Sequence, residues 1–188
     1  MSHRIKILPS TPAAYSPNNS RKEIRNQTMK TIQNSVRVNV PVIRAYNQWT
    51  QFEEFPRFME GVQEVRQLDD KRLHWKAEIG GQTKEWEAEI FEQVPDQRIA
   101  WRSMAGAKNS GMVNFTPLGT DQTEVSLDLH YDPEGFVENL GDALGMVSAR
   151  VAGDLKRFKA FIEALPEPTE GWRGEIRGKE IVQTDSAH

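Results

Sequence analysis

The chain has 188 residues, no cysteine and a formal net charge of −3. That length suits one domain with tails, and the mild negative charge gives no electrostatic reason to expect nucleic acid. Without cysteine there are no disulfides, no thiolate metal sites and no cysteine nucleophile, which fits a reducing compartment. No apolar run approaches the roughly 20 residues needed to span a membrane, so a cytoplasmic location is expected.

Residues 1–30 read as an extended or disordered tail. Pro9, Pro12, Pro17, Asn18, Asn19 and Ser20 interrupt any periodicity, and the segment has no apolar core of its own. Its basic, acid-poor composition (Arg4, Lys6, Arg21, Lys22 and Arg25 against Glu23) is similar to an organellar transit peptide. A plain tail, or initiation at Met29, is the simpler expectation. Residues 31–165 read as the folded domain, and 166–188 as a C-terminal tail expected to be mobile, with docking of Trp172 and Ile176 on the domain or on a partner as the alternative.

Order is expected from Ser35, where Ser35 to Val40 alternates polar and apolar as a half-buried strand. Pro41 then opens a short helix with Val42, Ala45, Tyr46 and Trp49 on one face. A second helical piece, Phe52 to Met59, carries Phe52, Phe55, Phe58 and Met59, with Pro56 inside it. From Val62 to Tyr131 six strands alternate with turn residues: Val62–Leu68, Arg72–Ile79, Thr83–Val94, Arg98–Ser103, Gly111–Leu118 and Thr123–Tyr131. Gly80-Gly81 is a two-residue hairpin signal. Short links imply an antiparallel meander. The loop Ala105 to Ser110 is the one candidate lid.

Alternation assigns the faces. Trp75, Trp86, Ile90, Trp101, Val113, Phe115, Leu127, Leu129 and Tyr131 point to one side. Charged residues of both signs, with His74 and His130, point to the other. The apolar face needs a cover, and only Phe136 to Leu165 is long enough. There Leu140, Leu144, Val147, Val151, Leu155, Phe158 and Ile162 recur at steps of three and four. Burying seven such side chains is worth roughly 10–20 kcal/mol as an upper bound. A second row, Gly141, Gly145, Ala149 and Gly153, repeats every fourth residue; each glycine costs a helix about 1 kcal/mol relative to alanine. Such a row implies either close backbone packing or space left for a guest. The fold class is therefore α+β: a strongly bent seven-stranded antiparallel sheet wrapped around a long C-terminal helix, with two short helices after strand one.

That element order is the helix-grip fold. The stretch from Tyr46 to Met59, Tyr-Asn-Gln-Trp-Thr-Gln-Phe-Glu-Glu-Phe-Pro-Arg-Phe-Met, resembles the cyclase/dehydrase-like branch of the START/Bet v 1-like superfamily, which is similar to coenzyme-Q-binding COQ10-type START domains. The resemblance covers about Thr31 to Leu165. It implies binding or carriage of a hydrophobic small molecule (a lipid, a quinone or a polyketide-like compound) between sheet and helix. The wall would be built from the inward residues above with Phe58, Met59, Gly141, Leu144 and Gly145. Two other readings stay open: a polyketide cyclase or dehydratase, for which Tyr131 is the candidate catalytic group, and a protein-interaction module. His74 and His130 lack metal-ligand partners at a usual spacing, and no P-loop, dinucleotide fingerprint or nucleophile elbow occurs. No metal and no cofactor is expected.

Overall fold

The computed structural model describes residues 29–133, 143–166 and 168–182. The expected N-terminal tail, and Leu140 and Gly141 of the long helix, lie outside the described residues, as does the Leu144 side chain. Strands are β1 (Lys30–Val38), β2 (Val62–Gln67), β3 (Arg72–Ile79), β4 (Gln82–Val94), β5 (Arg98–Gly106), β6 (Asn109–Pro117), β7 (Thr123–Tyr131), β8 (Glu175–Arg177) and β9 (Glu180–Val182). Helix α1 spans Val42–Trp49, a 3-10 turn spans Phe52–Arg57, and α2 spans Ala143–Ala164.

The main sheet runs β1-β7-β6-β5-β4-β3-β2, antiparallel at each paired neighbour. This is the expected helix-grip arrangement: a meander with β1 returning beside β7, and a long helix following it. Gly80 and Gly81 sit at φ 60° and 78°, the left-handed conformations that a two-residue hairpin turn requires. The 13-residue β4 carries register shifts between Glu87 and Ala88 and between Ile90 and Glu92. Such bulges add local twist and help the sheet bend.

The ordered chain starts earlier than alternation suggests. β1 begins at Lys30, because Lys30 to Gln33 continue the ladder against Tyr131 to Asp128 even though their outer side chains are exposed. The expected Ala105–Ser110 lid is a correction. β5 runs to Gly106 and β6 starts at Asn109, leaving only Ala107 and Lys108 as a connection. Ala107 and Asn109 are buried in this hairpin, while Met104 to Gly106 and Lys108 are exposed.

The covering helix buries the expected row: Val147, Val151, Leu155, Phe158 and Ile162 are all buried. It packs chiefly on β1 and on the aromatic residues after it. Phe158 lies edge-on to Trp49 at 4.8 Å and close to Phe58 at 5.3 Å between ring centroids. Arg44 donates to the carbonyls of Ile162 and Leu165, tying α1 to the end of α2.

The C-terminal tail is docked, against the expectation of a mobile one. β3 begins only at Arg72, opposite Glu89, and leaves the last residues of β4 without a neighbour on that side. β8 fills the position, pairing Arg177 with Glu92 and Ile176 with Gln93, and Ile176 is fully buried. Before β8, Thr169 and Glu170 offer carbonyls to Asn47 and Gln51, and Arg173 pairs with both carboxylate oxygens of Asp96 while lying over the Tyr46 ring. Tyr46 is buried and bonded to Gln93 at 2.9 Å, and burial pushes its phenol up to about 12.

Truncating Ile176 to alanine is therefore expected to lower unfolding stability by about 2–5 kcal/mol, as for other buried isoleucines. Urea titration of the full chain checks this; an unchanged midpoint would show that the tail carries no stability.

Candidate functional site

α2 covers the β1 side of the sheet, and among the described residues no helix lies directly against the inner face of β3, β4 and β5. Between them and α2 is a cavity of about 500 Å³. Its sheet side is made by Leu73, Trp75, Ala77 and Ile79 of β3, Trp86 and Ile90 of β4, Ile99 and Trp101 of β5, Asn109 of β6, and Leu127 and Leu129 of β7. Trp49, Phe52, Phe55 and Met59 close one end, and Met146 to Leu155 of α2 face it from above.

The tryptophans wall the space without filling it. Trp75 and Trp86 are cross-strand partners, and their rings stack at 5.6 Å with 9° between planes. Phe55 leans on Trp75 at 5.6 Å. Trp101 lies over Gly111, where a methyl group would come within 2.5 Å of the indole. Its Nε1 donates to Asn109 Oδ1 at 3.2 Å. Gly111 thus makes room on the strand for the indole to lie back.

Of the residues expected to line a pocket, Met59, Trp75, Trp86, Ile90, Trp101, Leu127 and Leu129 border this cavity. Others sit behind its wall. Phe58 packs between Phe158 and Phe161 at 5.3 and 5.4 Å. Phe115 lies against Tyr46 and Trp49, and Val113 is completely buried. Tyr131, the candidate catalytic group, is buried at the end of β7 beside Lys30 and Asn109 and does not border the cavity. Gly145 is exposed and also off the wall. Alternation gives the correct face for these strand residues but not how far along the strand the cavity extends. Of the small-residue row, Ala149 and Gly153 do border the cavity. A Cβ on Gly153 would meet the Arg157 guanidinium at 3.2 Å, so the glycine accommodates that side chain.

Four charged residues on the wall were not singled out as site residues: Glu60, Arg150, Asp154 and Arg157. Glu60, Asp154 and Arg157 are bonded to one another. Asp154 accepts from the Glu60 amide at 2.8 Å and from Arg157, whose Nε donates to the Phe58 carbonyl at 2.9 Å and whose Nη2 also meets Glu60. Arg150 donates to the Glu78 carbonyl at 2.8 Å, across Gly61, whose φ is +73°. Burial holds the Asp154 carboxyl above its ordinary value of 3.8, against the opposing pull of the Glu60 amide and Arg157. The signal was available: Asp154 stands between Val151 and Leu155, at the border of the apolar row and one turn from both arginines. Asn109 was hidden inside the supposed loop, although Asn109, Gly111 and Val113 alternate inward. Among the described residues no group of three His, Asp or Glu side chains could hold a metal ion, and no helix is long and apolar enough to cross a membrane. His74 and His130 are on the outer face, near Glu85 and Thr31.

With this geometry in place, comparison with known proteins is informative. The model for the family described as polyketide cyclase / dehydrase and lipid transport matches residues 38–160. The chain belongs to that family. A relative from Streptomyces lincolnensis, named as an uncharacterized 17.2 kDa protein of the melC2-rnhH intergenic region, is 46% identical over 149 residues, covering 79% of this chain and 99% of that one. A crystal structure of a Deinococcus radiodurans protein is similar at 34% identity and a TM-score of 0.57, covering 71% of this chain and 98% of the other. The Zhui aromatase/cyclase from Streptomyces sp. R1128 shares the fold at 16% identity and a TM-score of 0.60, with coverage of 72% and 94%. The cyclase/dehydrase part of the resemblance drawn from Tyr46 to Met59 is thereby shown as family membership.

The raised Asp154 value has a signed consequence. The folded protein holds this proton more tightly than the unfolded chain, so the group favours folding below the ordinary value of 3.8. That contribution is lost as pH rises through the native value. Replacing Asp154 with asparagine removes the titration. The wild-type stability minus that of Asp154→Asn should therefore decrease as pH rises from below 3.8. Urea unfolding at a series of pH values checks it; a difference that grows with pH would reverse the assignment.

Proposed function

We propose that the protein binds and carries a hydrophobic small molecule in the cavity between β3–β5 and α2. The observation that carries this reading is the cavity itself. About 500 Å³ of space walled by tryptophan, phenylalanine and aliphatic side chains lies in the size range, roughly 300–1,000 Å³, of small-molecule sites. A packed core does not leave that much room, because each unfilled methylene costs stability. The family description, which joins polyketide cyclase/dehydrase with lipid transport, supports a guest of this kind. A lipid, a quinone such as coenzyme Q, or a polyketide-like compound all meet the requirement for a large apolar surface. The test narrows the volume. Ala77 is buried on β3 and borders the cavity. Ala77→Phe is expected to weaken binding of an apolar fluorescent probe such as pyrene at least about ten-fold with the far-ultraviolet circular dichroism unchanged. Equal binding by wild type and variant would overturn the reading.

One observation favours a second reading, a polyketide cyclase or dehydratase. The Asp154 carboxyl borders the cavity, is held by a backbone amide and an arginine, and binds its proton more tightly than an exposed aspartate. A group so placed can exchange a proton with a ketone or alcohol in the cavity. Closure of a synthetic 1,3,5-triketone, followed by absorbance, is expected to proceed faster with wild type than with Asp154→Asn. No rate above buffer with wild type would remove this reading and leave carriage intact.

A further inference from the structure

Apart from the charged cluster on α2 and the loop at Glu60, the cavity has one strongly polar side chain on its sheet side, Asn109. It is 5% exposed, so its carboxamide cannot rely on bulk water. A carboxamide has four hydrogen-bonding positions, two N–H groups and two lone pairs. The protein uses two: Nδ2 donates to the Ala107 carbonyl at 3.0 Å, and Oδ1 accepts from Trp101 Nε1 at 3.2 Å. The Asn109 main-chain amide is separately bonded to Ser103 Oγ at 3.0 Å, which fixes the residue's backbone. One N–H and one lone pair of a rigidly held group therefore remain available beside the tryptophan wall. Each polar side-chain atom of Asn109 thus has one partner and one spare position that an oxygen in the cavity can take up.

The charges on the wall say what the guest is not. Among the described residues they are two acids and two arginines, and each guanidinium already donates to a main-chain carbonyl (Glu78 or Phe58). Arg157 additionally serves Glu60 and Asp154. A guest bearing a carboxylate would have only Arg150 to pair with, beside the carboxylates of Glu60 and Asp154, and a charge buried in an otherwise apolar site is expensive. The stacked Trp75 and Trp86 faces and the Trp101 face favour a flat, unsaturated skeleton.

We propose that Asn109 is the recognition point of the cavity, and that the guest is an uncharged, flat, apolar molecule carrying a hydroxyl or carbonyl oxygen that completes the Asn109 carboxamide. This rests on the cavity-binding reading above and specifies it further: a neutral ligand, not a fatty acid or another anion.

Three probes sharing one skeleton separate the two levels in fluorescence titrations of the full chain: pyrene, 1-pyrenemethanol and 1-pyrenecarboxylate. The alcohol is expected to bind about three- to ten-fold more tightly than the hydrocarbon, the worth of one hydrogen bond. The carboxylate should bind at least about ten-fold more weakly than the alcohol. In Asn109→Leu the alcohol and hydrocarbon should become equal while pyrene itself still binds. Because Asn109 also holds Trp101 and Ala107, a second variant guards against misfolding. Trp101→Phe keeps Asn109 and frees its second lone pair, so the alcohol's advantage should persist or grow. Failure of pyrene to bind wild type removes the cavity reading and this inference with it. Pyrene binding with no gain for the alcohol, an advantage that survives Asn109→Leu or vanishes in Trp101→Phe, or a carboxylate that binds as well as the alcohol overturns the inference alone.

Discussion

The contact on which the rest of the architecture depends is the edge-to-face packing of Trp49 on Phe158, 4.8 Å between centroids. Through it the last turns of α2 are fixed to the α1 and 3-10 segment, where Phe55 and Phe58 extend the same cluster. Each such pair contributes about 0.5–1.5 kcal/mol beyond its buried area. The cluster holds α2 over β1, and Phe158 and Ile162 lie outside the cavity while Val147, Val151 and Leu155 border it. Firm packing at one end of the helix and open volume along the rest are thus two consequences of one anchoring. Had the helix been seated over β4, the three tryptophans would have met it directly.

An unfilled interior weakens a domain, so stability has to come from elsewhere. Two features of this chain do that. One is the aromatic cluster. The other is the tail, whose Ile176 completes the row of core residues beside Gln93 and whose Arg173 bridges Asp96 and Asn47. The α2 side of the cavity wall is held by the Arg150, Asp154 and Arg157 contacts, and the Arg157 ion pairs are individually modest because they are partly exposed.

What could be read from the sequence follows from how local each cause is. Alternation in β3, β4 and β7, the Gly80-Gly81 turn and the three-four spacing of Val147 to Ile162 are local signals, and they yield the fold, the helix and the inward face. The three tryptophans at matching positions of successive strands were legible for the same reason. The depth of the cavity was not: whether Val113 or Leu127, neighbours in register, meets packed core or open space depends on where α2 lies, which is a long-range outcome. β8 escaped because a three-residue strand has no periodicity, and its position is set by the late start of β3 rather than by its own residues. Asn109 escaped because small and polar residues around it, Gly106, Lys108 and Ser110, resemble a loop, whereas the ladder to Tyr131 makes them strand.

The long helix's glycines lead to the last step. Gly153 accommodates the Arg157 guanidinium, and Gly111, on the sheet, accommodates Trp101. In both places the missing side chain lets a large neighbour lie back against its own element rather than project across the gap. Trp75 and Trp86 achieve the same by stacking on one another. Four large side chains that could each have crossed the cavity are instead held along its boundary by a glycine, a stacked partner or a hydrogen bond. Close packing is the default for protein interiors, and nothing in the chemistry of these residues forbids it here. Among the described residues the aromatic faces stay bare and the Asn109 carboxamide keeps a spare N–H and lone pair, which is what the guest-binding reading requires of this wall.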